Sequence, residues 1–198
     1  KNADNDISEY FIYKDCTFDD FLKNISSNQD YQNIILISDP AGSGKTCVLL
    51  KIYEKLINFC NESQNICWIS FITLKDHIEA LNEYDNEGFC EFVGNLLELD
   101  DLSEVIFKQK YSHGKVKILF DGLDELPMKT IQNFIKVLKM FESHEKNQIF
   151  ITSRTHLELS VESKLKVLGW KIKPLEENDQ VNLLVSKWEG KDEAVKKA

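Results

Sequence analysis

Asn33-Ile-Ile-Leu-Ile-Ser-Asp-Pro-Ala-Gly-Ser-Gly-Lys-Thr46 decides the fold of this chain. Four consecutive apolar residues with β-branched enrichment predict a parallel strand covered on both faces. Pro40 and Gly42 break that strand, and Gly44-Lys45-Thr46 opens a helix. Leu49, Ile52, Leu56 and Phe59 recur in it at helical spacing. A strand, a glycine-rich turn and a helix make a phosphate-binding loop. Glycines let backbone N–H groups curl around phosphate oxygens, and the helix N-terminus adds a favourable partial charge. In this motif lysine reaches the β- and γ-phosphates and the hydroxyl ligates magnesium. Pro40, Ala41, Gly42, Ser43, Gly44, Lys45, Thr46 and Cys47 are therefore the candidate nucleotide-binding residues, with Thr46 also a metal ligand. Cys47 is expected to be buried as a small apolar residue. Asp39 stands where the loop's first glycine usually falls. Its carboxylate either points away from the phosphates or weakens their binding.

A second buried strand runs through Val116-Lys-Ile-Leu-Phe-Asp-Gly-Leu-Asp-Glu-Leu126 and ends in acids. Asp121 falls where strand meets loop, within reach of a magnesium ion on Thr46. Asp124 and Glu125 are candidates to polarise or orient an attacking water. The plain alternative is a solvated acidic turn. A third strand, Gln148-Ile-Phe-Ile-Thr-Ser-Arg154, ends on the only arginine of the chain. Every other basic residue that is not histidine is lysine, so this position asks for something lysine does not supply. A planar, permanently charged fork that binds phosphate is such a role. A structural ion pair is the competing reading.

With these three segments the chain resembles the NACHT group of STAND nucleoside triphosphatases. "DPAGSGKT", "ILFDGLDEL" and "IFITSR" are each close to that group's patterns, over roughly residues 31–188. Gly122 after the first aspartate, followed by the Asp124-Glu125 pair, is the most specific of them. The resemblance implies a three-layer α/β sandwich with a parallel sheet of ASCE-type order, in which the Arg154 strand lies between the phosphate-loop strand and the Asp121 strand. It implies ATP or ADP with Mg2+, slow hydrolysis, and a switch that controls opening of a larger signalling or innate-immune-like assembly. Asp124, Glu125 and Arg154 then match the catalytic positions, and Thr46 and Asp121 the metal site. Neighbouring domains of a longer protein, and a homo-oligomer in the activated state, are the implied partners. The competing function is a degenerate module that holds nucleotide structurally without turnover.

The expected organisation is an N-terminal flanking segment with a helix (1–30), a nucleotide-binding core (31–175) and the start of a helical region (176–198). The chain has the polar ends of a piece excised from a longer protein. Further strands are expected over 66–72 and 170–173. Helices are expected over 76–81, around Phe89–Leu97, around Leu102–Ile106, over 131–141, and from about His156 to Val167. Alternating strands and helices mean βαβ units.

Composition bounds the function. The net charge of −9 and the lack of a basic cluster argue against a nucleic-acid partner. No apolar run is long enough to span a bilayer, so no membrane partner is expected. Five cysteines without Cys-x-x-Cys spacing point to reduced thiols in a cytoplasmic protein. The four histidines make no metal spacing. A single arginine is too few for a phosphotransferase lid. No Asn-Lys-x-Asp motif follows Asp121, so ATP is favoured over GTP.

Overall fold

A computed structural model describes residues 11–12, 33–62, 66–83, 88–141 and 146–173. The helix expected within 1–30 and the helical region expected over 176–198 lie outside these residues, of which only Phe11 and Ile12 belong to either flanking segment.

The phosphate-loop strand is β2 (Ile34–Ser38), and the helix after it is α1 (Lys45–Glu62). β3 (Trp68–Thr73) follows, then a 3-10 turn over Leu74–His77 and a short helix α2 (Ile78–Glu83). α3 (Phe89–Leu96) and α4 (Asp101–Ser112) lead to β4 (Val116–Asp121). A 3-10 turn over Leu123–Glu125 precedes α5 (Met128–Lys139). β5 (Gln148–Ser153), α6 (Thr155–Leu165) and β6 (Gly169–Ile172) complete the order. A two-residue strand β1 (Phe11–Ile12), too short to carry a period, pairs antiparallel with β6 at one edge.

The sheet order is β1-β6-β2-β5-β4-β3, and all pairs but the first are parallel. The Arg154 strand does lie between the phosphate-loop strand and the Asp121 strand. Register aligns their carboxyl ends. Ser38 pairs with Ser153, Phe120 with Ile151, and Thr73 with Asp121. In an open parallel sheet that edge is where ligands bind.

Two apolar layers flank the sheet. Ile35, Ile37, Leu119 and Phe150 pack under Val48, Leu49, Ile52 and Leu56 of α1. The other face is larger. There Leu36, Ile118, Phe120, Ile149 and Ile151 meet α3 to α6 through residues such as Phe92, Phe107, Phe134 and Val161. Strands buried on both faces explain why β2, β4 and β5 are unbroken apolar runs rather than alternating ones. At the opposite, amino-terminal edge, buried Asn147 ties the layers together. Its Oδ1 accepts from Val116 N–H at 3.0 Å and its Nδ2 donates to Tyr111 O at 2.8 Å.

Two stripes read from periodicity differ in the structure. Phe59 is 44% exposed, and the buried face of α1 continues to Cys60 instead. Leu102 and Val105 are 70% and 64% exposed, and Ile106 is exposed as well. α4 buries Phe107 and Tyr111. Trp68 meets Phe107 edge-on at 5.4 Å and Phe89 stacks on Tyr111 at 5.6 Å. Two large aromatics outweigh three aliphatic residues in deciding which face of this helix turns inward.

Candidate functional site

The three sequence segments meet in one cleft of about 300 Å³ at the carboxyl edge of the sheet. Its walls come from the phosphate loop (Ala41, Gly42, Gly44, Lys45, Thr46, Cys47), from the end of β4 (Asp121, Gly122, Asp124, Glu125) and from the end of β5 (Thr152, Arg154).

The loop has the shape its sequence demands. Gly42 and Gly44 have φ of 79° and 87°, a region that L side chains avoid. Ser43 Oγ donates to Pro40 O at 3.0 Å, which ties the turn together and keeps this side chain on the loop. Lys45 Nζ donates to the carbonyls of Asp39 at 2.9 Å and Pro40 at 2.7 Å, so its ammonium sits over the loop. Cys47 is exposed and lines the cleft, which corrects the expectation of burial. In the first turn of the helix its side chain faces the loop, and Val48 and Leu49 face the sheet.

Asp39 turns away from the cradle. Its Oδ2 accepts from Ile172 N–H on β6 at 2.6 Å, and its own N–H donates to Ser153 O at 3.3 Å. The residue is 8% exposed. Burial pushes its carboxyl pKa upward, opposed by the Ile172 hydrogen bond and by the charges of Lys171 and Lys45. Of the two alternatives open for this carboxylate, the structure takes the first.

Asp121 is buried and doubly held. Thr46 Oγ1 donates to its Oδ2 at 2.8 Å, and Thr152 Oγ1 donates to its Oδ1 at 2.5 Å. Thr152 Oγ1 also accepts from Gly122 N–H at 2.8 Å. Thr152 thus fixes both the aspartate and the turn after it. Thr152 lies inside the third predicted strand, where no motif marks it. The register places Thr152 opposite Asp121, one step beyond the Phe120–Ile151 pair. Gly122 has φ of 83°, and a Cβ there would lie 3.4 Å from the Glu125 carboxyl carbon. Only glycine fits both constraints comfortably.

Arg154 Nε donates to Asp124 Oδ2 at 2.8 Å. The arginine side chain is 50% exposed and the aspartate side chain only 5%. This joins the two readings of Arg154: it is ion-paired, and its partner is a cleft acid. Glu125 is more open, 45% exposed, with Lys75 from the turn after β3 at 3.5 Å. Lys75 is a second contributor that sequence reading missed, because it lies on a segment with no motif.

A carboxylate and a hydroxyl 2.8 Å apart are hard oxygen donors of the kind magnesium takes from protein, with phosphate oxygens and water completing the shell. Asp121 and Thr46 fit that ion. Among the described residues, no group of three or more His, Cys, Asp or Glu side chains gathers to hold a metal by itself.

No protein-family model matches the chain, and no curated protein matches it. Solved structures do. An Orc1 protein of Aeropyrum pernix in complex with DNA superposes with a TM-score of 0.56 at 13% identity, over 86% of this chain and 47% of that one. AMPPCP-bound DnaA of Aquifex aeolicus gives 0.50 at 16% identity, over 86% and 50%. The replication initiator DnaA bound to AMPPCP and single-stranded DNA gives 0.51 at 15% identity, over 96% and 56%. The chain spans about half the length of these proteins. It has the parallel-sheet α/β fold of these structures. The exclusion of nucleic acid drawn from net charge is overturned, because structures of this fold carry DNA. A whole-chain charge averages over the surface, whereas binding responds to local potential. Among the described residues, no helix is long and apolar enough to cross a membrane.

Proposed function

We propose that this chain is a nucleotide-binding switch module that holds ATP or ADP with magnesium and hydrolyses ATP slowly within a larger NACHT-like signalling protein. The observation that carries the reading is the convergence of Lys45, Thr46, Asp121 and Arg154 on one cleft at a parallel sheet edge. Glycine at position 122 and the acidic pair after it support the NACHT assignment within the broader fold. The bound nucleotide of the DnaA structures supports the choice of ligand class.

The residues divide the work. Lys45 exchanges its contacts with the Asp39 and Pro40 carbonyls for phosphate oxygens. Thr46 and Asp121 would hold a magnesium ion, which would supply charge neutralisation to the phosphates. Thr152 keeps Asp121 oriented from the far side. Asp124, nearly buried and ion-paired, positions Arg154. Glu125, half-exposed beside the cleft, orients the attacking water.

Single-turnover phosphate release tests this division. Glu125→Gln is expected to slow release by about 10²–10⁴-fold, the range for removing a general base. Asp124→Asn is expected to act less, through a released Arg154. Unchanged release in Glu125→Gln would favour the second reading, a module that holds nucleotide without turnover. The Arg154–Asp124 pair, which engages Arg154 Nε and the Asp124 carboxylate with each other, is the observation on that side.

A further inference from the structure

At the end of the sheet away from the cleft, the fold gathers two thiols and an amine that nucleotide binding does not use. Cys60 lies near the end of α1, four residues past Leu56 and eight past Ile52, on their buried stripe. Cys67 directly precedes β3. Strand alternation puts it on the face of Ile69 and Phe71, which pack against the α1 layer. The two cysteines thus face each other across the α1–β3 layer, with Cys67 close enough to act on the Cys60 thiol as a hydrogen-bonding neighbour. Cys60 is buried, Cys67 is partly exposed, and both are free.

Lys117 sits opposite Ile69 on β4 and therefore on the same face. Its amine donates to Gln148 Oε1, and its charge acts on both sulfurs. Desolvation pulls the Lys117 pKa below the ordinary lysine range, while burial and the Cys67 contact push the Cys60 thiol up. A positive charge beside a thiol favours the thiolate, which is the reactive form. A scan of sequence spacing misses this pair, because helix and strand supply one cysteine each.

We propose that Cys60 and Cys67 are a peroxide-responsive dithiol that closes into a disulfide and locks the far end of the phosphate-loop helix to β3. The accessible Cys67 thiol attacks hydrogen peroxide, gives a sulfenic acid and releases one water. The Cys60 sulfur then attacks that sulfenic sulfur, the S–S bond forms, and the hydroxyl leaves with the Cys60 proton as a second water. Two thiols are oxidised and one peroxide is reduced to two waters. α1 carries the phosphate loop at its other end, so the crosslink restrains the helix that presents Lys45 and Thr46.

The test uses the full chain, hydrogen peroxide, and peptide mapping by mass spectrometry after alkylation of remaining thiols. Wild type is expected to lose two hydrogens and yield one intrachain Cys60–Cys67 crosslink, reversed by dithiothreitol. Cys60→Ser is expected to stop at a Cys67 sulfenic acid that dimedone captures. Lys117→Met is expected to slow crosslinking roughly tenfold. Far-UV circular dichroism and the melting temperature establish that each variant is folded. Alkylation of both Cys60 and Cys67 after peroxide, while Cys47 or Cys90 is oxidised, would overturn the proposal. So would Cys67 pairing with another cysteine. An unchanged rate in Lys117→Met would overturn the part given to the amine. None of these readings depends on whether the cleft binds nucleotide.

Discussion

Replacing Asp39 separates what this residue does for the fold from what its charge costs. Its carboxylate accepts the Ile172 N–H at 2.6 Å and so extends a β2–β6 junction that otherwise rests on the Leu36–Gly169 and Ile37–Trp170 pairs. Asp39→Gly leaves that donor without its acceptor, at a cost of about 1–2 kcal/mol. Added backbone freedom in the unfolded chain raises the loss by about 0.5–1 kcal/mol. Relief of the desolvated charge offsets part of it. The net expectation is a loss of about 1–2 kcal/mol, or about 2–8 °C in melting temperature for a chain of this size.

Asp39→Asn behaves differently, because an amide oxygen can still accept from Ile172 and carries no charge. The sign follows from the raised pKa. The folded state binds this proton more readily than the unfolded chain, whose carboxyl titrates near 3.8. Wild-type stability from this group is therefore greatest below 3.8, falls as pH rises through the folded pKa, and stays level above it. Asp39→Asn is expected to be more stable than wild type at neutral pH and to lose that advantage in acid. Urea denaturation at a series of pH values measures both effects, with a constant m-value as the control. Asp39→Gly as stable as wild type, or Asp39→Asn less stable than Asp39→Gly, would refute the reasoning.

Two other substitutions probe the cleft from different sides. Arg154→Ala leaves the Asp124 carboxylate, 5% exposed, without its partner; a loss of about 1–2 kcal/mol is expected, moderated by the half-exposed arginine, and a chemical denaturation curve unmoved from wild type would contradict it. Thr152→Val keeps the shape of β5 but strips the hydroxyl that serves Asp121 and Gly122 N–H. It is expected to cost about 1–3 kcal/mol and to weaken magnesium-dependent nucleotide binding more than magnesium-free binding, which titration calorimetry with and without the metal would reveal.

Much of the fold was legible because the strands carry two signals at once. β2, β4 and β5 are buried on both faces, so each is a compact apolar run, and each ends on a residue whose chemistry marks the carboxyl edge. The order of those three strands came from the family resemblance; no local pattern contains it. Helix faces were less legible. Periodicity finds the stripe on α4 but does not say which stripe faces the core, and Phe107 with Tyr111 prevailed over Leu102, Val105 and Ile106. Phe59 was misplaced for a related reason, because the smaller Cys60 takes the buried position at the end of α1. At the site, Lys45, Thr46, Asp121, Asp124 and Arg154 were visible as motif positions. Thr152, Lys75 and the Asp39–Ile172 bond were not, since each acts through a partner on another strand or turn. β1 escaped because two residues on an edge are too few to establish a period.

The central claim is that separate strand ends build one triphosphate site with Lys45 at its centre. Titration calorimetry of the folded chain with magnesium-ATP, alongside Lys45→Ala, tests it most directly. Saturable one-to-one binding by the wild type and none detectable by the variant is the expected result. Equal affinity in both, with the variant's fold intact by circular dichroism, would contradict it.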